Sequence, residues 1–197
     1  MTTHRLSVAT SELILGGQKS GKSRRAELLA RQWLDVEPAH NAVLIATAQP
    51  WDDEMRQRIT RHQADRAERV PGMRTVEEPL QLAQAILENS HADTMVVVDC
   101  LTLWLTNLMM PVQTNASIST PALIGNAHIA PLLIAIEQAS GPVVLVGNEI
   151  GLGVIPMGRE VRAFVDALGK LNQDVAGTCE RVTLMAAGLP LTLKGKP

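Results

Sequence analysis

Residues 16–23 read Gly-Gly-Gln-Lys-Ser-Gly-Lys-Ser, which matches the G-x-x-x-x-G-K-S pattern of a phosphate-binding loop. Glycine at both ends of the pattern lets the backbone turn sharply and point its N–H groups at a phosphate. The ammonium group of Lys22 would reach the β- and γ-phosphates of a nucleoside triphosphate, and the Ser23 hydroxyl would ligate Mg²⁺. The pattern therefore predicts a nucleotide site formed by Gly16, Gly17, Gln18, Lys19, Ser20, Gly21, Lys22 and Ser23.

The residues on either side of this loop favour a phosphate site over a chance glycine-rich turn. Residues 12–15 are typical of a short buried strand that ends at the loop. After Lys22 the apolar residues recur with the spacing of an amphipathic helix, at Ala26, Leu29, Ala30, Trp33 and Leu34. A strand, a glycine loop and a helix in this order are the context in which the pattern binds phosphate.

Three further residues have side chains that could take part in catalysis. Asp99 follows the apolar residues 95–98, and an acid in that place holds Mg²⁺ beside a phosphate loop, although it can also cap a helix. Glu149 follows the apolar residues 143–146 and could act as a general base or orient a hydroxyl or a water; a solvated loop acid is the alternative. His62 lies on an arginine-rich predicted helix, where a packed or surface histidine is commoner than a catalytic one.

Strand and helix patterns alternate along the chain, which predicts an α/β fold. We expect a single P-loop NTPase-like domain over residues 12–197, after a flexible N-terminal extension over residues 1–11. The sheet should have about seven strands, be mainly parallel and carry helices on both faces, with an antiparallel edge strand near the C-terminus. Pro79 should lie in the first turn of a helix that continues to Leu87. A late helix near residues 159–176 should bury Val161, Phe164, Val165, Leu168 and Val175.

The composition excludes several classes of protein. The chain has 197 residues and a net charge of −2, which does not indicate a nucleic-acid-binding surface. Its two cysteines, Cys100 and Cys179, suit a reducing cytoplasm, and no apolar run reaches the length of a membrane span. The Asn-Lys-x-Asp motif of guanine-specific switch proteins is absent. A small phosphoryl-transfer enzyme fits best, and a regulatory nucleotide-binding module is the alternative.

Several longer segments point to one family. The chain resembles the bifunctional adenosylcobinamide kinase / adenosylcobinamide-phosphate guanylyltransferase family over residues 14–194. Besides the phosphate loop, the matching segments are Ala46-Thr47-Ala48, Asp52-Asp53-Glu54-Met55 with Arg58-Ile59 and His62, Thr75-Val76-Glu77-Glu78-Pro79, Val98-Asp99-Cys100-Leu101-Thr102, Asn148-Glu149-Ile150-Gly151, Gly169 with Leu171-Asn172-Gln173, and Ala187-Gly188-Leu189-Pro190.

The resemblance implies two reactions in adenosylcobalamin (vitamin B12) biosynthesis. ATP or GTP would first phosphorylate the aminopropanol hydroxyl of adenosylcobinamide; GMP from GTP would then be transferred to that phosphate through a guanylylated histidine, which matches His62. It also implies Mg²⁺ held by Ser23 and Asp99, catalysis by His62, Lys22 and Glu149, and a cytoplasmic homo-oligomer, a trimer. Further nucleotide contacts are implied for Ala46, Thr47, Ala48, Gln63, Ala64, Asp65, Arg66, Glu77 and Thr102.

Overall fold

A computed structural model describes residues 7–50, 53–110, 125–154 and 156–196 of the chain. Its strands are β1 (Ser11–Gly16), β2 (Asn41–Ala46), β3 (Arg74–Glu77), β4 (Thr94–Asp99), β5 (Val143–Val146), β6 (Arg181–Ala186) and β7 (Leu189–Lys194). Its helices are α1 (Lys22–Val36), α2 (Asp53–Arg69), α3 (Leu82–Asn89), α4 (Leu101–Met109), α5 (Ala130–Gln138), which follows a π-helical turn over Gly125–Ile129, and α6 (Arg159–Thr178).

The strands form one seven-stranded sheet in the order β3-β2-β4-β5-β1-β6-β7. All pairings among β1 to β6 are parallel, and β7 alone pairs antiparallel, with β6. The predicted fold class is therefore confirmed. Because Ala46 pairs with Asp99 and Asp99 with Val146, strands β2, β4 and β5 end at one level, beside the end of β1. We call this edge of the sheet the carboxyl edge; ligands of open α/β sheets bind there.

Alternation along the buried strands divides the core into two layers. In β1, Leu13 packs on one face of the sheet and Ile14 on the other, since successive side chains of a strand point to opposite faces. The Ile14 face is covered by α1, through residues such as Leu29. The Leu13 face is covered by α3, α4, α5 and α6, with Trp104 as a large, fully buried side chain. Each face thus has its own set of helices, as the α/β pattern predicted.

Two predictions about helices are wrong in detail. Pro79 does not lie in a helical turn: α3 begins at Leu82, because the Glu78 carboxylate accepts the N–H groups of Leu80 and Gln81, at 2.8 Å each, and holds a turn before the helix. Val161 is 50% exposed rather than buried. It lies in the first turn of α6, whose buried side chains begin only at Leu168.

The N-terminal boundary also differs from the expected extension over residues 1–11. Ala9 is buried, and Thr10 donates hydrogen bonds from its N–H and its hydroxyl to the Glu180 carboxylate, both at 2.8 Å. These bonds, the backbone one above all, lower the pKa of Glu180. Arg181 donates to the carbonyl and hydroxyl of Ser7. Residues 7–11 therefore belong to the folded domain, and residues 1–6 lie outside the described part.

The long surface loop predicted over residues 111–126 falls largely outside the described residues, apart from its last two positions, which begin the π-helical turn. Within the described ranges, no helix combines the length and the apolar character needed to cross a lipid bilayer.

Candidate nucleotide-binding site

The loop between β1 and α1 has a backbone that only glycine fits at two positions. Gly16 has φ +154°, and a Cβ built there would lie 2.5 Å from the Met185 carbonyl oxygen. Gly21 has φ +101° where α1 begins, and a Cβ there would come within 3.3 Å of the Gly188 Cα. The turn is closed by a 3.3 Å hydrogen bond from the Ser20 N–H to the Gly17 carbonyl. The two glycines that the pattern required are thus where the chain turns and touches the β6–β7 connection.

The cationic and hydroxyl side chains of this loop point back toward it. The Lys22 ammonium group donates to the Gly17 carbonyl at 2.6 Å. The Ser23 hydroxyl donates to Oδ2 of Asp99 at 3.3 Å, across 76 residues of sequence. The structure therefore brings together the loop of β1 and the acid that ends β4, as the sequence predicted.

Ser23 and Asp99 are the described residues that could hold a metal ion beside the loop. No cluster of three or more histidine, cysteine or acidic side chains exists in the described ranges, so a cage made wholly of protein ligands is absent there. Mg²⁺ is usually held by one or two protein oxygens together with waters and substrate phosphates. The neighbouring hydroxyl and carboxylate oxygens, next to a loop shaped for phosphate, fit that donor set.

Glu149 is fixed next to the loop by its own backbone. The Glu149 N–H donates to the Gly16 carbonyl at 3.1 Å, and Oε1 of Glu149 accepts the Gly151 N–H at 2.8 Å. A cavity of about 370 Å³ is lined by Glu149 together with Gly17, Gln18, Lys19 and Ser20. The carboxylate thus lies at the phosphate loop, in the position that general-base chemistry on a bound substrate would require.

The residues that support Glu149 include two that sequence reasoning did not assign to this role. The Asn148 N–H donates to the Thr102 hydroxyl at 2.9 Å, and the Asn172 side-chain amide donates to the Asn148 carbonyl at 3.1 Å. Thr102 and Asn172 are both buried. A sequence signal existed for Asn172 alone, as a polar residue on the otherwise apolar face of α6.

Thr47 is fully buried and holds the chain that follows Asp99. Its hydroxyl donates to the Cys100 carbonyl at 2.8 Å and accepts the Cys100 N–H at 2.9 Å. Its own N–H donates to the Asp99 carbonyl at 3.2 Å, and its carbonyl accepts the side-chain amide of Asn107 at 2.8 Å. These bonds occupy the polar groups of Thr47, so its observed role is to position Asp99. The neighbouring Ala46 and Ala48 are half-buried, and nucleotide contact at all three stays a prediction.

Helix α2 carries His62 on the same side of the sheet as α1. Arg69 pairs with Glu27 of α1 at 3.0 Å, and Arg31 donates to the Arg69 carbonyl at 3.4 Å. Both helices run away from the carboxyl edge, and seven residues of helical rise, about 10 Å, place His62 nearer that edge than Arg69. The His62 side chain is exposed, and no hydrogen bond joins it to another described residue.

The other residues predicted to contact nucleotide from α2 and β3 differ in exposure. Gln63 and Ala64 are exposed, Asp65 is half-buried, and Glu77 is exposed at the end of β3. Arg66 is buried, and its Nε has no hydrogen-bond partner among the described residues. A buried guanidinium with an unused N–H is suited to a further acceptor, such as a phosphate oxygen. Arg66 therefore has the strongest structural support of this group.

A strand, a glycine loop and a helix, with Lys22 on the loop and the Ser23–Asp99 pair beside it, define a P-loop nucleotide-binding protein of the α/β class. Residues 12–193 match the family model described as cobinamide kinase / cobinamide phosphate guanyltransferase. The chain belongs to this family.

Curated relatives agree with the family match. The chain is 45% identical over 186 residues to the Pseudomonas aeruginosa protein named bifunctional adenosylcobalamin biosynthesis protein CobP, covering 94% of this chain and 98% of the relative. It is 34% identical over 189 residues to the Escherichia coli protein named bifunctional adenosylcobalamin biosynthesis protein CobU, covering 92% and 98%. The crystal structure of the flagellar accessory protein FlaH from Methanocaldococcus jannaschii matches with a TM-score of 0.51 at 12% identity, over 96% of this chain and 80% of that one. That likeness concerns the fold alone.

Proposed function

We propose that this chain is a bifunctional transferase of adenosylcobalamin biosynthesis. It phosphorylates the aminopropanol hydroxyl of adenosylcobinamide with ATP or GTP, and then transfers GMP from GTP to that phosphate, releasing pyrophosphate. The observation that carries the proposal is the family match over residues 12–193, in a chain whose phosphate loop has Lys22 and the Ser23–Asp99 pair in place. The names of the Pseudomonas and Escherichia relatives support the same pathway.

In the kinase reaction, the loop residues 16–23 bind the triphosphate through backbone N–H groups and Lys22. Ser23 and Asp99 would hold Mg²⁺, which neutralises phosphate charge when bound. Glu149 accepts the proton of the attacking hydroxyl. The Lys22 ammonium group exchanges its bond to the Gly17 carbonyl for the phosphates, where a charge-assisted hydrogen bond is stronger.

In the guanylyl transfer, a ring nitrogen of His62 attacks the α-phosphorus of GTP. A P–N bond forms, the bond to the bridging oxygen breaks, and pyrophosphate leaves with the electron pair. An oxygen of the substrate phosphate then attacks the same phosphorus and restores the imidazole. We assign nucleotide contacts in this step to Arg66 with Gln63, Ala64 and Asp65 on α2, and to Ala46, Thr47, Ala48, Glu77 and Thr102 at the carboxyl edge.

The resemblance to this family also supports three wider proposals. The chain would act in the cytoplasm, assemble as a homotrimer and comprise a single catalytic domain from residue 12 onward. Sedimentation of the purified protein would test the assembly.

Covalent labelling tests the histidine step. After incubation with GTP labelled at the α-phosphorus and Mg²⁺, the wild-type protein should carry an acid-labile, base-stable label, since phosphoramidates have that stability. The His62→Ala variant should lose the label but still transfer the γ-phosphoryl group to cobinamide. The exposed His91 is a matched control, and His91→Ala should keep both activities.

Two results would contradict the proposal in different ways. Label that persists in His62→Ala would assign the nucleophile to another residue. A wild-type protein that binds GTP but neither becomes labelled nor consumes nucleotide with cobinamide would instead be a regulatory nucleotide-binding module. Consumption with a different hydroxyl substrate would keep the chemistry and change the acceptor.

A further inference from the structure

We propose that a second cavity, beside the phosphate loop, binds the aminopropanol arm of the acceptor; this rests on the proposed function. The cavity has a volume of about 540 Å³ and lies between α6, β6, β7 and the loop after β5. Glu149 and Leu152 line both this cavity and the 370 Å³ cavity along the phosphate loop. We call the two the acceptor cavity and the donor cavity. Glu149 therefore stands where a group held in one cavity meets a group held in the other.

The walls of the acceptor cavity suit a short aliphatic arm that carries an amide and a hydroxyl. Leu15, Val182 and Leu193 supply apolar surface for methyl and methylene groups. Asn172 and Gln173 supply side-chain amides on the α6 wall, which complement an amide linkage. A cavity with apolar walls and a few polar groups is the usual form of a small-molecule site.

The mouth of the acceptor cavity is apolar and open, so the bulk of a large acceptor can remain outside. Leu152 is 82% exposed and Leu193 is 56% exposed, and both line the cavity. An exposed apolar rim is unusual on a surface that faces only water, and it matches the flat, largely apolar body of a corrinoid. The volume of the cavity fits the arm alone.

The transfer then proceeds across Glu149. The hydroxyl oxygen of the arm forms a bond to the γ-phosphorus, and the bond from that phosphorus to the bridging oxygen breaks. The nucleoside diphosphate leaves with the electron pair, and the hydroxyl proton passes to the Glu149 carboxylate. One oxygen of that carboxylate already accepts the Gly151 N–H, which leaves acceptor capacity for the proton.

Gly169 offers a way to fill the acceptor cavity without disturbing its neighbours. It lies on α6 and lines the cavity, and a Cβ built there has no heavy atom within 4 Å. Gly177, on the same helix, also has none within 4 Å, but it is exposed and does not line the cavity. Leucine favours a helix more than glycine does, so both substitutions should leave folding intact.

The experiment compares Gly169→Leu with Gly177→Leu in the kinase reaction, using cobinamide as acceptor and ATP as donor. In Gly169→Leu the KM for cobinamide should rise at least about tenfold, since one misplaced methylene in an apolar pocket already changes selectivity by roughly 10- to 200-fold. The KM for ATP should change less than about twofold in both variants, because the donor cavity is untouched, and Gly177→Leu should match the wild type.

Equal KM values for cobinamide in Gly169→Leu and Gly177→Leu would overturn the acceptor cavity while leaving the proposed function intact. A parallel rise in the KM values for ATP and cobinamide would also overturn it, because the substitution would then act on the whole site. A wild-type protein that does not phosphorylate cobinamide would refute the proposed function itself, and the acceptor cavity with it.

Discussion

Glu12 should be one of the most sensitive positions for stability, although it lies in the middle of a buried strand and far from the proposed chemistry. Its side chain is 1% exposed. Oε1 accepts hydrogen bonds from Arg25 at 3.0 Å and from the Thr183 hydroxyl at 2.8 Å, and Oε2 accepts one from Arg181 at 3.2 Å. The arginines are also nearly buried, at 7% and 4% exposure. The carboxylate therefore balances two buried cations that have little access to water.

The expected effect of Glu12→Ala follows from those contacts. Removing one partner of a buried ion pair destabilises a protein by about 3–5 kcal/mol, because the remaining charge stays buried and uncompensated. For a domain of this size, 1 kcal/mol corresponds to about 2–4 °C in Tm. The Tm should therefore fall by roughly 6–20 °C. Because Arg25 lies in the first turn of α1, directly after the phosphate loop, nucleotide binding should weaken as well.

Thermal and urea unfolding, followed by circular dichroism, measure this effect. Asp35→Ala is the matched control, because Asp35 pairs with Arg31 at 3.9 Å on the surface, and losing such an exposed pair changes stability by less than about 1 kcal/mol. A triple variant, Glu12→Leu with Arg25→Met and Arg181→Met, should recover most of the lost stability, since the uncompensated charges are gone. The reasoning is refuted if Glu12→Ala unfolds no more easily than Asp35→Ala.

Two further predictions concern the metal and the thiols. Asp99→Asn should raise the Mg²⁺ concentration that half-saturates activity by roughly 10- to 100-fold, whereas the exposed Asp166→Asn should not; an unchanged midpoint would remove Asp99 from the metal site. Burial, and then the neighbouring Asp99 charge, raises the pKa of the Cys100 thiol to about 11, and burial raises the pKa of Cys179 to about 12. Neither thiol should react with a disulfide reagent at pH 8 in the native protein, both should react after unfolding, and fast native reaction would contradict their burial.

The phosphate loop was predictable because its structure is local. Two glycines, a lysine and a serine within eight residues determine a turn that depends on few distant contacts. Asp99 and Glu149 were placed correctly beside it for a different reason. Each follows an apolar strand, and the ends of parallel strands meet at one edge of the sheet, so their proximity follows from the fold class.

The polar residues that hold the site together could not be found in the same way. Thr47 acts through Cys100, 53 residues away, and Asn148 through Thr102, 46 residues away. Nothing near Thr47 or Thr102 in the sequence distinguishes a hydroxyl that positions the backbone from one that contacts a ligand. Glu12 was read only as part of an apolar strand, because its partner Arg181 is brought beside it by the β1–β6 register.

His62 marks the limit of both approaches. Its position on a helix was predictable, since the acidic residues that open α2 and the Pro71–Gly72 turn that closes it are visible in the sequence. Its distance from the phosphate loop depends on how α2 docks against α1. The docking is determined by Arg69 and its partner Glu27, a contact that no local pattern indicates. The histidine mechanism therefore remains a proposal that labelling must decide.

The sheet itself offers a reason why one phosphate loop can serve two reactions. Helices α1 and α2, with His62, lie on the face to which Ile14 points, whereas α6 packs on the opposite face, with Leu13. The acceptor cavity, lined by α6 residues, approaches the loop from that second side, and the two sides meet at the carboxyl edge. A hydroxyl arriving from the α6 side and an imidazole arriving from the α2 side can thus reach different phosphorus atoms of one bound triphosphate. The loop supplies charge to both reactions, and the group that is transferred is determined by the side from which the nucleophile comes.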